Sequence, residues 1–305
     1  MRLILGGVRG TNPVSQPDFM KYGGETTSIL VEGEGGERIL VDAGTGVRVL
    51  GDRIAAVAQT SSVLLLMTHY HLDHVMGLPS LPLIYNQRWT IRVAAPDHNG
   101  FRVDEVMPQI MAKPYWPLQV EHLESFIQFT RLPDPVSKEP IRHGGLEVRW
   151  CPVHHPGGCT AYRVDEPITG ESFVIATDVE WQLSTDEEKQ QLLLLCRHPS
   201  PASVLVMDGQ ITPDEYETYK GWGHSTWKDA ADVARLVQCG RLLVTHHAPY
   251  NDDSMLKDID LRLGKYLKNA SLGRERTVIS PGGYEDRPTE TVPRTDTASR
   301  RQQQQ

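Results

Sequence analysis

The first half of the chain is written in short apolar runs divided by glycine-rich or polar turns. Residues 2–7 (RLILGG), 27–33 (TSILVEG) and 37–44 (ERILVDAG) read as strands, and EGEGGE at 32–37 reads as the hairpin turn joining the last two. Residues 62–68 (SVLLLMT) are an almost unbroken apolar run, the pattern of a strand covered on both faces. TIRVAAP at 90–96 repeats it. From Asp97 to about Thr130 the pattern is lost, and the chain is rich in Pro, Met and aromatic residues. This stretch reads as an inserted helix and loop, either at a pocket mouth or packed on the core.

The second half starts the strand pattern again with LEVRWCPV, TAYRVD and SFVIATD. TDEEKQQLLLLCRH then places Thr185 three residues before Glu188, the spacing of a capping box, and predicts a helix. ASVLVMDG is a further buried strand. STWKDAADVARLVQCG carries Ala230, Val233, Ala234 and Val237 on one helical face, begins with Thr226 and Asp229 at capping-box spacing, and is expected to end at Gly240. RLLVTHH is the last apolar strand. Two β-rich halves with accompanying helices predict stacked sheets with helices outside. No repeat relates the halves. Residues 1–285 are expected to form one domain, and the polar residues 286–305 a disordered tail.

Composition narrows the function. The chain has 305 residues, 39% of them hydrophobic, and a formal net charge of -8. An acidic chain is poorly suited to a polyanion, so large nucleic acid is disfavoured as a partner while a small phosphorylated ligand is not. No apolar run approaches the roughly 20 residues of a membrane span. The start of the chain does not read as a signal peptide. Cys151, Cys159, Cys196 and Cys239 show no CxxC spacing and are expected to be reduced. The expected location is cytoplasmic, and a homodimer is compatible with the composition.

The chemistry concentrates at THYHLDH, residues 68–74. Directly after a buried strand, His69 and His71 sit two residues apart, so on an extended backbone both point one way and can converge on one ion. Asp73 and His74 come where the chain turns toward a helix and would aim at a neighbouring point. Imidazole with carboxylate suits zinc, manganese or iron. Other strand ends supply matching groups: His154 and His155, Asp178, and His246 and His247. Neighbours on an extended backbone point apart, so one member of each tandem pair reaches the ion.

The order HxHxDH, His, Asp, His resembles the metallo-β-lactamase superfamily over about residues 1–285. The resemblance implies an αββα four-layer sandwich, with two mixed β-sheets and outer helices, holding two divalent metal ions, zinc first and manganese or iron as alternatives. Carried over by position, His69, His71 and His155 would hold one metal, Asp73, His74 and His246 the other, and Asp178 would bridge. A bridging aspartate is similar to the phosphodiester-cleaving branch. GHSTWKDAADVA with LLVTHHAPY looks like the ribonuclease Z and cyclic-nucleotide phosphodiesterase group. That likeness makes His224 a proton donor oriented by Asp208, so Asp73, His224 and Asp208 are the expected catalytic residues. Asp42 would steady a ligand histidine, or simply cap a turn. The glycines of LGGVRG are expected as tight turns beside the cleft rather than a phosphate cradle.

The leading expectation is a dinuclear metal phosphodiesterase for a small phosphodiester, a 3′,5′-cyclic nucleotide being one candidate. Three other readings stay open: a ribonuclease Z-like RNA-processing nuclease, a thioesterase or lactonase, and a metal-binding sensor without activity. The long Gly/Pro-rich arm of ribonuclease Z is not seen in the sequence.

Overall fold

The computed structural model describes residues 1–57, 61–133, 135–280 and 283–285; the predicted tail, 286–305, lies outside the described residues. The chain first builds β1 (Arg2–Gly7), β2 (Ser28–Glu32), β3 (Arg38–Val41), β4 (Ser62–Leu66), β5 (Thr90–Ala95) and β6 (Phe126–Arg131). It then builds β7 (Ile141–His143), β8 (Leu146–Val153), β9 (Cys159–Glu166), β10 (Glu171–Ala176), β11 (Val204–Asp208), β12 (Arg241–Thr245) and β13 (Ala270–Leu272). Two last strands, β14 (Val278–Ser280) and β15 (Gly283–Glu285), return to the first group. The sheets run β15-β14-β1-β2-β3-β4-β5-β6 and β13-β12-β11-β10-β9-β8-β7. Both are mixed: β3 to β6 are parallel neighbours beside antiparallel hairpins, as are β10 to β13.

The helices are α1 (Val47–Val57), α2 (Leu72–Val75), α3 (Val103–Ile110), α4 (Asp186–Arg197), α5 (Tyr216–Tyr219), α6 (Trp227–Val237) and α7 (Asp253–Tyr266). Strand alternation sorts the core into three layers. Leu64 and Leu66 of β4 point into the gap between the sheets, with Leu3, Trp150, Phe173 and Ile175. Their neighbours Val63 and Leu65 face outward, onto Val47, Leu50 and Ile54 of α1 and Met107 of α3. On the other side Val174, Ala176 and Val244 face Leu192 of α4, Val233 of α6 and Leu256 of α7. The inner strands thus bury both faces, which is why their runs are apolar rather than alternating. This is the expected αββα sandwich. No helix among the described residues is long and apolar enough to cross a membrane.

Both capping boxes form: Thr185 Oγ1 accepts from Glu188 N at 3.2 Å, and Thr226 Oγ1 from Asp229 N at 3.1 Å. Two expectations need correction. Helix α6 stops at Val237, three residues before Gly240, because Gln238 takes the left-handed conformation (φ 55°) at its end. The stretch 97–130 is not irregular throughout: α3 lies in it, and Phe126–Arg131 pair with β5 in parallel. The pattern of β6 was hidden because this edge strand, in the row FIQFTR, has no fully buried residue. Both readings of the insertion hold in part, since Val103 and Met107 are buried in the outer layer while His98 and Asn99 line a cleft.

Trp150 is 1% exposed in the gap between the sheets. Trp150→Ala should cost about 3–5 kcal/mol, by lost transfer energy and an unfilled cavity. Urea unfolding of the variant reads this directly; a loss under about 1 kcal/mol would mean that the sheets close over the gap.

Candidate metal centre

One edge of the sandwich gathers the ends of β3, β4, β8, β10, β11 and β12. Strand β4 ends at Leu66, and the chain continues extended through His69 and His71 before α2 begins at Leu72. His71 therefore has β-region backbone (φ -60°, ψ 151°), while Asp73 and His74 lie in the first turn of α2. The two halves of HxHxDH point to adjacent positions for that reason.

The expected residues fall into two contiguous sets. His69, His71 and His155 bring one nitrogen each within 4.8 Å of one another, and so do Asp73, His74 and His246 with one ligand atom each. In the second set His74 Nε2, His246 Nε2 and Asp73 Oδ2 make a triangle with sides of 3.3, 3.4 and 3.4 Å. Three donors placed tetrahedrally at 2.0–2.2 Å from one ion stand about 3.3–3.6 Å apart, so the spacing suits a metal. Asp178 lies between the sets. Its Oδ2 is 3.1 Å from His74 Nε2, and its Oδ1 is 3.2 Å from His246 Nε2, 3.8 Å from His69 Nε2 and 3.9 Å from His155 Nε2.

The ring orientations are fixed from behind. Asp42 Oδ2 accepts from His74 Nδ1 at 2.8 Å and from Thr68 Oγ1 at 2.7 Å, while Asp42 Oδ1 accepts from Thr68 N at 2.8 Å. With its hydroxyl proton on Asp42, Thr68 Oγ1 accepts from His69 Nδ1 at 3.0 Å. His155 Nδ1 donates to Gly223 O at 2.8 Å. In His69, His74 and His155 this leaves Nε2 to face the cluster, the arrangement that fixes the tautomer of a ligand histidine. His71 instead turns Nδ1 inward, 3.1 Å from His155 Nε2. His69 Nε2 is buried and has no hydrogen-bond partner. An orphaned imidazole nitrogen beside a carboxylate is what a site for a cation presents.

The electrostatics agree. Asp42, Asp73, Asp178 and Asp208 are all buried here. Burial lowers the pKa of His69 and His71, and takes that of His155 down to about 4, so these three are neutral. Burial also opposes charge on His246, but Asp178 and Asp73 outweigh it and lift its pKa to about 9. On His74 the same contest, with Asp178, Asp73 and Asp42, ends well above the ordinary value. The second set thus demands positive charge, from protons or from divalent ions. The cluster is suited to a dinuclear metal site.

In each tandem pair one ring lies in the cluster, that of His155 and that of His246. His154 is half-buried and faces Glu188 at 3.5 Å, and His247 donates from Nε2 to Gly273 O at 2.8 Å, away from the cluster. The reason given for the second pair was incomplete, because His246 is not extended but left-handed, at φ 64°. Asp42 (φ 62°), Asp178 (φ 56°) and Thr11 (φ 67°) share that conformation, and Thr11 N donates to Asp73 Oδ2 at 2.8 Å. Such backbone costs of order 1–3 kcal/mol per residue and persists where surroundings impose it. Here it turns the side chains inward at the strand ends.

His224 and Asp208 are brought together. His224 Nδ1 is 2.7 Å from Asp208 Oδ2, and Gln210 N holds Asp208 Oδ1 at 3.0 Å. The His224 ring stacks on His246 (centroids 4.9 Å, 24°) and meets His155 edge-on at 5.4 Å, so it touches both sets. Glycines make room: a Cβ on Gly10 would lie 2.3 Å from the His246 ring, and one on Gly223 (φ 92°) 2.2 Å from His155 Nδ1. Sequence reading missed Glu180, a buried carboxylate accepting from Tyr216 OH, Gly221 N and Gly223 N, each at 2.8 Å. It pins the loop that carries His224, and nothing local in the sequence signals it. Arg9 was missed too. Its guanidinium donates to the carbonyls of Gly23, Ala248 and Asn251 and so holds the segment after His246.

The family model described as "Beta-lactamase superfamily domain" matches residues 37–247. With this fold and cluster, the chain belongs to the metallo-β-lactamase superfamily. It is 30% identical over 165 residues to ribonuclease Z of Clostridium acetobutylicum, a match spanning 53% of this chain and 48% of that one. With ribonuclease Z of Pyrobaculum aerophilum it shares 25% identity over 257 residues, spanning 77% of this chain and 85% of the other. The fold is similar to that of the metallo-β-lactamase fold protein YhfI from Bacillus subtilis (TM-score 0.65, 17% identity, 92% of this chain and 99% of that one). It is also similar to the short form of human tRNase Z (TM-score 0.65, 18% identity, 92% and 99%) and to yeast PDE1 (TM-score 0.60, 14% identity, 91% and 98%).

Two outcomes are expected. His155→Ala and His246→Ala should each lose metal, while His154→Ala keeps two ions per chain; elemental analysis of the three variants checks this, and the reverse pattern would exchange the members of a pair. The second concerns pH. An unfolded histidine titrates near about 6.5, and His246 in the metal-free fold near about 9. Its proton therefore stabilises the metal-free fold fully below about pH 6.5, and that contribution is lost as pH rises through about 9. The Tm of metal-free protein should fall across this interval, and the metal-loaded protein should not share the fall, since metal replaces the proton. A metal-free Tm that stays level would show that His246 carries no such charge.

Proposed function

We propose that this chain is a dinuclear metal-dependent phosphodiesterase acting on a small phosphodiester, with a 3′,5′-cyclic nucleotide as the first candidate. The observation that carries this reading is the His224–Asp208 pair at 2.7 Å, set against both groups of metal-type ligands. Phosphodiester cleavage expels an alkoxide, which needs a proton, and general acid catalysis there contributes roughly 10²–10⁴-fold. A thioester or lactone hydrolase has less need of such a pair.

In this reading His69, His71 and His155 hold one ion, Asp73, His74 and His246 the second, and Asp178 both. The nitrogen-rich set fits zinc best. Divalent ions held there supply Lewis acidity and a water nucleophile at neutral pH. The rest is the work of the chain. Asp42, through Thr68 and directly, keeps His69 and His74 in the right tautomer, and the Gly223 carbonyl does so for His155. Asp208 holds His224 by Nδ1, which leaves Nε2 as the proton donor toward the leaving oxygen. Thr11 N holds the Asp73 carboxylate beside His74 and His246.

A second reading, an RNA-processing nuclease, is favoured by the ribonuclease Z relatives, whose match runs through 77% of this chain in one case. That similarity removes the ground on which net acidity set large nucleic acid aside. What supports the small substrate is the insertion between β5 and β6, whose helix α3 packs Val103 and Met107 into the outer core instead of standing free of the domain.

His224→Ala should keep two metals and its fold but lose about 10²-fold or more in kcat on an alkyl phosphodiester. On a p-nitrophenyl ester the loss should be far smaller, because nitrophenolate leaves without a proton. Equal losses on both esters, with metals intact, would sink the assignment of His224 as the acid. Turnover of precursor tRNA in preference to every small diester would instead establish the nuclease.

A further inference from the structure

We propose that Tyr219, Trp222 and Tyr250 form a stacking subsite for the heterocyclic base of a nucleoside phosphodiester, a proposal that rests on the phosphodiesterase reading above. Trp222 is 64% exposed and Tyr250 45%. The Tyr219 ring lies nearly parallel to that of Tyr250 (20°, centroids 6.3 Å) and meets Trp222 edge-on (81°, 5.3 Å). Large aromatic side chains gain most by burial, so Trp222 and Tyr250, left at the surface beside the half-buried Tyr219, are open to a planar ligand.

The place of the group is what selects the occupant. Trp222 stands two residues before His224, and Tyr250 four residues after His246. Gly223, between Trp222 and His224, holds His155 through its carbonyl. The rings therefore flank the segments that supply the acid and one of the metal-type ligands. Both segments are held firmly. Glu180 clamps Gly221 N and Gly223 N on either side of Trp222, and Arg9 binds the carbonyls of Ala248 and Asn251 on either side of Tyr250. Little order has to be gained when a ring stacks on a surface already in place. A separate cleft of about 320 Å³ beside His155 includes Asp97, His98, Asn99, His154 and Glu188 in its lining and is in part anionic. A substrate whose phosphate sits at the cluster can reach exposed π-faces next to the segments of His224 and His246. Every nucleobase has a π-face, and phosphate-linked bases are the planar groups that this chemistry meets.

The test uses the full-length, metal-loaded protein and two ligands that differ only in the base, AMP and ribose 5-phosphate, titrated by calorimetry. AMP should bind more tightly than ribose 5-phosphate. Trp222→Ala should weaken AMP by about 5- to 150-fold, the range for loss of one base–aromatic stack, and should move ribose 5-phosphate little. Trp222→Phe should restore most of the affinity and Trp222→Leu should not. Equal affinities for the two ligands in the parent protein, no binding of either, or equal rescue by Leu would overturn the subsite. So would a Trp222→Ala variant that leaves AMP unchanged but shifts the protein's sedimentation, which would make the rings a contact between copies of the chain. Turnover of methyl p-nitrophenyl phosphate is measured separately. Its absence, with the AMP preference and its loss in Trp222→Ala intact, would sink the phosphodiesterase reading and leave the subsite standing.

Discussion

The Asp42 carboxylate is the point on which the centre depends. It is wholly buried at the end of β3, where burial pushes its carboxyl up while His74 and Thr68 pull the other way. Through three hydrogen bonds it orients His74 directly and His69 by way of Thr68. These two histidines belong to different ligand sets, so one carboxylate fixes the tautomer in both. Held this way, His69 and His74 turn Nε2 toward the cluster, as the ligands of a cation do.

The sandwich makes such an arrangement possible. The inner strands of each sheet are buried on both faces, so they are rigid and their ends stand at fixed separation. Function then gathers where the strands stop. Asp42, Asp178 and His246 each leave a strand through left-handed backbone, which an extended chain would not do unaided. The surrounding hydrogen bonds and the two packed sheets supply what this strain costs.

Around the cluster the chain is arranged in a second tier. Glu180 ties down the loop before His224, and Arg9 ties down the loop after His246. Both are buried ionised-type side chains bound chiefly to backbone groups. Their partners are loop N–H and carbonyl groups that would otherwise be left without hydrogen bonds. The same two clamps hold the segments that carry Trp222 and His224 on one side and Tyr250 on the other.

Much of this was legible in the chain itself. Unbroken apolar runs marked strands covered on both faces, and the spacing of Thr185 with Glu188 and Thr226 with Asp229 marked two helix starts. HxHxDH, with His155, Asp178 and His246 at later strand ends, named the residues that the fold gathers, because side-chain direction along a strand or a helical turn is a local property. Other features had no local signal. The edge strand β6 is half-exposed and lacks the apolar run, and α6 ends on Gln238 rather than at a glycine. Glu180 and Arg9 look like ordinary charged residues, since the partners of Glu180 lie 36 to 43 residues away along the chain and those of Arg9 10 to 242. The inward turn of His246 depends on a left-handed backbone that no residue pattern announces. Periodicity and residue type decide what each segment can offer, but which atoms meet is set by contacts between segments far apart in sequence, and those exist only once the two sheets have packed.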